Sequence, residues 1–198
     1  MHLNSDNLVR CEEVYDYQNR IWIFLEYMEG NALCHLVDKR KGDFTEDFVR
    51  WSLYQVALGL QCMHAENVLH RDMKSDNILC NPNGDVKIAD MGFSVLLSEM
   101  REYRDTQLGT PPWVSPEIAK GEEYQKEVDV WAFGCFAFEL TAHNPPFHQY
   151  YDRHNKNALL DAIIQLPVPR IPDKWPDLMN DFVQKCLIKD KNERWTID

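Results

Sequence analysis

The sequence predicts an α+β fold in which a short pair of strands precedes a mainly helical body. Three observations carry that prediction. Ile21-Trp22-Ile23-Phe24-Leu25 is a β-branched and aromatic run beside a turn at Tyr17-Gln18-Asn19. Phe48, Trp51, Leu53, Val56, Leu60 and Met63 recur at roughly helical spacing. Glu127 to Thr141 is apolar on nearly all sides, which marks a helix inside a core.

The elements follow in order. Leu8 to Asp16 and Arg20 to Leu25 read as two strands, the second expected to be well buried. Glu26 to Asn31 breaks the pattern. Helical spacing begins at Leu33 and ends near Gly42. Thr45 is an N-cap with Glu46 and Asp47 in the first turn, and its helix runs to about His64. A short strand at Ile78-Leu79 is followed by a strong turn, Asn81-Pro82-Asn83-Gly84-Asp85, and by the strand Val86-Lys87-Ile88. Phe93 to Leu108 is charged and lacks a clean period, so it reads as a long loop. Asn144-Pro145-Pro146 ends the apolar helix. Two more helices cover Ala158 to Gln165 and Pro176 to Leu187, separated by a proline-marked stretch. No internal repeat, low-complexity segment or linker interrupts the chain.

Composition narrows the function. A length of 198 residues fits one domain or one large lobe. With 44% hydrophobic and 27% charged residues, the chain has the balance of an ordinary globule. A net charge of -11 argues against a nucleic-acid binder and against docking on an anionic membrane. It fits a partner with basic residues. The six cysteines are scattered without metal-ligand spacing and read as reduced thiols. The polar start does not read as a signal peptide, and no apolar run approaches the ~20 residues that span a bilayer. The expectation is a soluble cytoplasmic protein.

The chemistry concentrates in Val68 to Leu79. This stretch sets an acid (Asp72), a cation (Lys74) and an amide (Asn77) at fixed spacings between apolar residues. A second acid, Asp90, follows in Ile88-Ala89-Asp90-Met91-Gly92. Two acids and an asparagine can grip a divalent metal, and a metal with a lysine is what a triphosphate needs.

The run His70-Arg71-Asp72-Met73-Lys74-Ser75-Asp76-Asn77 resembles the protein-kinase catalytic loop H-R-D-x-K-x-x-N at every specified position. Asp90-Met91-Gly92 resembles the metal-binding D-F-G triplet with methionine for phenylalanine. Leu108 to Glu117 is similar to the family's G-T-P-x-W-x-A-P-E segment, with Ser115 for alanine. Asp129-Val130-Trp131-Ala132-Phe133-Gly134 resembles the central-helix motif of the large lobe. The lysine two residues after Asp72 resembles serine/threonine kinases, and His70 to Leu79, the G-T-P-x-W stretch and the closing Cys186-Leu187 with Arg194 together look most like their sterile-twenty group.

The resemblance implies a protein-kinase-like α+β fold, with a mainly helical large lobe and a remnant of the small-lobe antiparallel sheet. Residues 1–25 would be the last two small-lobe strands, 26–31 the hinge and 32–198 the catalytic lobe. It implies ATP and Mg2+ as cofactors. Asp72 would accept or orient the proton of the attacking hydroxyl, and Lys74 would steady the transferring phosphoryl group. Asn77 and Asp90 would hold magnesium, and Thr110 would hydrogen-bond Asp72. Backbone groups of Glu26 and Met28 would meet adenine, with Leu25 as gatekeeper and Leu79 as floor. His70, Arg71, Asp129 and a buried Glu117–Arg194 pair would support the site. Met91 would fill the space beside His70 that an aromatic usually takes. Thr106 is a candidate phosphosite, with Arg71 to grip the phosphate. Asp76 and Glu139 match positions that bind basic residues before the phosphoacceptor in some kinases. Partners would be protein substrates and an upstream or self-phosphorylating kinase, with neither nucleic acid nor membrane.

The sequence departs from the family at its front, where no G-x-G-x-x-G loop and no V-A-I-K lysine precede Leu8. Two readings follow. One is a serine/threonine kinase lobe, and the other is a kinase-like scaffold or regulatory binding module. Intact Asp72, Lys74, Asn77 and Asp90 favour the enzyme.

Overall fold

The computed structural model describes residues 3–39, 44–97 and 109–197. β1 (Cys11–Tyr17) and β2 (Arg20–Leu25) form an antiparallel ribbon. Gln18 and Asn19 close it at φ of 51° and 57°, the left-handed pair that a tight hairpin turn demands. The expected burial of the second strand is not met. Both strands are exposed along their whole length, and Ile21 is 72% exposed. A β-branched and aromatic run thus reports strand preference here, because no layer among the described residues covers the ribbon. The first strand also starts later than its apolar residues imply. Leu8 instead makes a parallel bridge to Ile88, and the Val9 N–H donates to the Ile88 carbonyl at 2.8 Å.

The helical body begins with α1 (Leu33–Lys39) and α2 (Glu46–Ala65). Thr45 caps α2, its hydroxyl oxygen accepting from the Phe48 N–H at 3.2 Å. Val49, Leu53, Val56, Leu60 and Met63 face the core. Trp51, on the same apolar pattern, is about half exposed and donates its indole N–H to the Gly84 carbonyl.

Four short strands follow: β3 (Val68–Leu69), β4 (Ile78–Cys80), β5 (Val86–Ile88) and β6 (Val95–Leu96). β4 and β5 form a hairpin whose turn is held by Asn81, its Oδ1 accepting from the N–H groups of Asn83 and Asp85. β3 pairs with β6, so the stretch expected to be loop after Phe93 contributes a strand. Two residues are too few to show alternation, and the pairing is set by tertiary contact. The end expected for the first helix, near Gly42, lies outside the described residues.

α3 (Pro116–Lys120), α4 (Glu127–Ala142), α5 (Asn157–Gln165) and α6 (Asp177–Cys186) complete the body. Every residue of α4 from Val128 to Thr141 is buried, as its unbroken apolar face requires. α2 and α6 both pack on it. A Cβ at Gly134 would stand 2.7 Å from the Cβ of Cys186, so only glycine lets α4 and α6 approach this closely. The catalytic-loop stretch lies against this central helix.

Candidate active site

Asp129 organises the site from beneath. It sits in the first turn of α4, fully buried, where the helix N-terminus favours a negative charge. One carboxylate oxygen accepts from the Arg71 N–H at 2.8 Å, and the other from the His70 N–H at 2.9 Å. His64 Nε2 lies 2.9 Å from that second oxygen. Burial opposes the charge on Asp129, yet the His64 and backbone hydrogen bonds outweigh it and hold the carboxyl below its usual range. The bonds leave Arg71 in the left-handed region at φ 67°, and so turn the chain toward Asp72. His70 is fully buried. Its Nε2 meets the Ala89 carbonyl at 2.9 Å, and its Nδ1 accepts from the Asp72 N–H at 3.3 Å. The pair fixes the Nε2-protonated tautomer and joins the loop to the residue before Asp90.

Asp72 is buried and carries four donors. Oδ1 accepts from the Thr110 hydroxyl at 2.8 Å and its N–H at 3.2 Å. Oδ2 accepts from Lys74 Nζ at 2.7 Å and Asn77 Nδ2 at 3.0 Å. Burial pushes its pKa up, but Lys74, Thr110 and Asn77 outweigh that and hold it below the ordinary value. The carboxylate is therefore ionised. A carboxylate has about four lone-pair positions, so an incoming hydroxyl must displace one of these donors. Lys74 Nζ also donates to Thr110 Oγ1 at 2.6 Å, which leaves one of its three protons for a further acceptor.

Asn77 spends its amide N–H groups on Asp72, one bond reaching the Asp72 carbonyl at 2.8 Å, so its amide oxygen faces no described donor. The Asn77 carbonyl accepts from the Ala89 N–H at 2.8 Å, which ties Asn77 to the residue before Asp90. Asp90 is exposed, at φ 59°, with Oδ1 accepting from the Gly92 N–H at 3.1 Å. An amide oxygen and an exposed carboxylate are hard donors of the kind magnesium takes together with phosphate oxygens. The donor set fits that ion. Met91 is partly buried against the core, and its sulfur accepts from the Ser94 hydroxyl.

Around this centre, Glu26 and Met28 lie between β2 and α1. Met28 is buried and its carbonyl accepts from the Asn31 N–H; the Glu26 N–H donates to the Arg10 carbonyl. Leu25 is half exposed at the end of β2, and Leu79 is partly buried in β4. Glu117 and Arg194 form a buried two-pronged ion pair at 2.7 and 2.9 Å. Arg71 reaches the Phe93 carbonyl at 2.6 Å with Nε and Tyr124 with its terminal nitrogen. Thr106 lies outside the described residues. Asp76 is exposed, whereas Glu139 is buried. The Glu139 carboxyl receives the Ser75 hydroxyl at 2.6 Å and the Trp113 indole N–H at 3.3 Å. Burial, with Asp76 nearby, pushes it up to about 7 against its hydrogen bonds.

Sequence reasoning missed His64, Lys87 and the Ser75–Glu139–Trp113 link. His64 falls at i+4 from Leu60 on the buried face of α2, a position where a polar residue demands a partner. Nothing in the sequence pointed from Lys87 to Glu26.

The family description "Protein kinase domain" matches residues 1–198. The serine/threonine-protein kinase pakA of Dictyostelium discoideum is 35% identical over 193 residues, 96% of this chain and 16% of that protein. The serine/threonine-protein kinase CLA4 of Candida albicans is 34% identical over 198 residues, 100% of this chain and 20% of its own length. The serine/threonine-protein kinase hippo of Drosophila melanogaster is 35% identical over 195 residues, 98% of this chain and 29% of that protein. The chain thus spans less than a third of each of these relatives. With its Asp72 cluster built on Asp129 and a domain match along its full length, the chain belongs to the protein kinase family, in the serine/threonine type most like the sterile-twenty group.

Proposed function

We propose that the chain transfers the γ-phosphoryl group of ATP to serine or threonine hydroxyls of protein substrates. The observation that carries this reading is the Asp72–Lys74–Asn77–Thr110 cluster joined through Ala89 to Asp90. Asn77 Oδ1 and the Asp90 carboxylate would hold magnesium, which would neutralise phosphate charge. Asp72 receives the substrate hydroxyl in place of the Thr110 hydroxyl and takes its proton as the new P–O bond forms and the bond to ADP breaks. Lys74 turns its remaining proton to the transferring group, whose charge spreads over its oxygens. Exposed Asp76 supplies the first contact for a basic residue beside the phosphoacceptor. Thr106, phosphorylated by an upstream kinase or by a second copy, would be gripped by Arg71. The protein acts in a cytoplasmic signalling cascade. No helix among the described residues is long and apolar enough to cross a membrane.

Nucleotide binding tests the metal half of this reading. Mg-ATP raises the melting temperature of the chain by several degrees at ligand concentrations about 100-fold above Kd. The shift disappears without magnesium and in Asp90→Ala. An equal shift in Asp90→Ala would remove Asp90 from the metal site.

A further inference from the structure

Glu26 and Lys87 meet although they are far apart in the chain. Lys87 Nζ donates to both carboxylate oxygens of Glu26, at 2.9 and 2.8 Å. The Arg10 N–H donates to Glu26 Oε1 at 2.7 Å, and the Glu26 N–H returns a bond to the Arg10 carbonyl at 2.9 Å. Each side chain of the ion pair is less than one-fifth exposed. Burial opposes the charge on Glu26, but Lys87 and the Arg10 N–H prevail and hold the carboxyl below its usual range. The pair is thus ionised and partly shielded from screening.

Its place in the fold gives it a role. Lys87 lies in β5, opposite Leu79 of β4 and three residues before Asp90. Glu26 lies directly after β2, two residues before Met28. The main chain of β5 is held on the other side by residues 7 and 9, through Ile88. The strand that delivers the metal-binding acid is therefore clamped by a side chain to the segment whose backbone would meet the base. We propose that Lys87 is a positioning residue that sets the base-binding segment in register with Asp90. It touches neither ligand part. It matters for a ligand that must reach both ends at once, because misplacement of one end by a fraction of an ångström weakens spanning ligands most. This inference rests on the nucleotide reading above.

The test compares a spanning ligand with its fragments. Dissociation constants are measured on the chain by ligand-observed NMR for Mg-ATP, adenosine and magnesium tripolyphosphate. For Lys87→Met, the Mg-ATP constant rises about tenfold, while those for adenosine and magnesium tripolyphosphate stay within about twofold. Lys87→Arg, which can still bond both Glu26 oxygens, recovers most of the loss. Unchanged Mg-ATP affinity in Lys87→Met overturns the proposal. So does an equal loss for all three ligands, which marks a general loosening of the fold. Failure of the wild-type chain to bind Mg-ATP overturns the nucleotide reading itself, and the positioning role with it.

Discussion

Glu139 brings a carboxyl into the interior, where it finds hydrogen-bond donors from Ser75 and Trp113 and, among the described residues, no ion-pair partner. The titratable groups coupled to it are one acid, Asp76 beside Ser75, and two neutral thiols, Cys34 on α1 and Cys135 on its own helix. Its pKa rises from 4.5 to about 7, so between those values the folded chain binds a proton that the unfolded chain has lost. That stabilising contribution is whole below about pH 4.5 and fades as pH rises to about 7. The scale is about 3 kcal/mol at most, from ~1.4 kcal/mol per pKa unit. Asp72 and Asp129 act in the opposite sense. Their lowered values stabilise the fold above the ordinary carboxylate range, and the benefit is lost as pH falls through that range. These three contributions together are largest near pH 4.5, where the Asp72 and Asp129 terms are complete and the Glu139 one has not begun to fade. Denaturant titrations at pH 6 and pH 8 show the Glu139 effect: wild type loses about 1–2 kcal/mol between the two, and Glu139→Gln loses much less. Equal slopes in both proteins would show that Glu139 is ionised throughout.

Between elements, the Glu117–Arg194 pair ties α3 to the turn after α6. Arg194 also donates to the Glu127 and Ile188 carbonyls and lies over the Trp131 ring at 5.1 Å. Replacing one member leaves a buried charge unpaired, so Arg194→Ala costs about 3–5 kcal/mol by urea unfolding. A loss below about 1 kcal/mol would mean that water reaches Glu117. The sequence made this pair legible through a family resemblance, since 77 residues separate its members and no local pattern links them. The long helices were legible from periodicity and caps: Thr45 sits where its hydroxyl meets the Phe48 N–H. β3 and β6 were not, because two-residue strands carry no alternation. The exposed ribbon was misjudged for a different reason. Composition distinguishes a strand from a helix, but burial depends on what packs above it, which residues 21–25 do not encode. In the site, Asp72, Lys74 and Asn77 stood close together in sequence. The placing of His64 and Lys87 was set by tertiary packing alone.

For the whole molecule, the core and the site share one support. α4 fills the interior, and its first turn carries the Asp129 carboxylate that shapes the loop from His70 to Asn77. The chain carries a net charge of -11, which attracts basic groups at long range. The apolar ribbon, with Ile21 to Leu25 all at least half exposed, is a surface of the kind that favours association. The fold therefore holds Asp72, Lys74, Asn77 and Thr110 in one hydrogen-bonded cluster while leaving Asp90 and Asp76 open to solvent. The central claim is that this cluster transfers a phosphoryl group. The most direct measurement is transfer of labelled γ-phosphate from Mg-ATP to a serine- and threonine-containing peptide library, by the wild-type chain and by Asp72→Asn. Label is expected on serine and threonine with wild type, at a rate about 10²–10⁴-fold lower with Asp72→Asn. Equal rates in the two proteins, or no transfer by wild type, would contradict it.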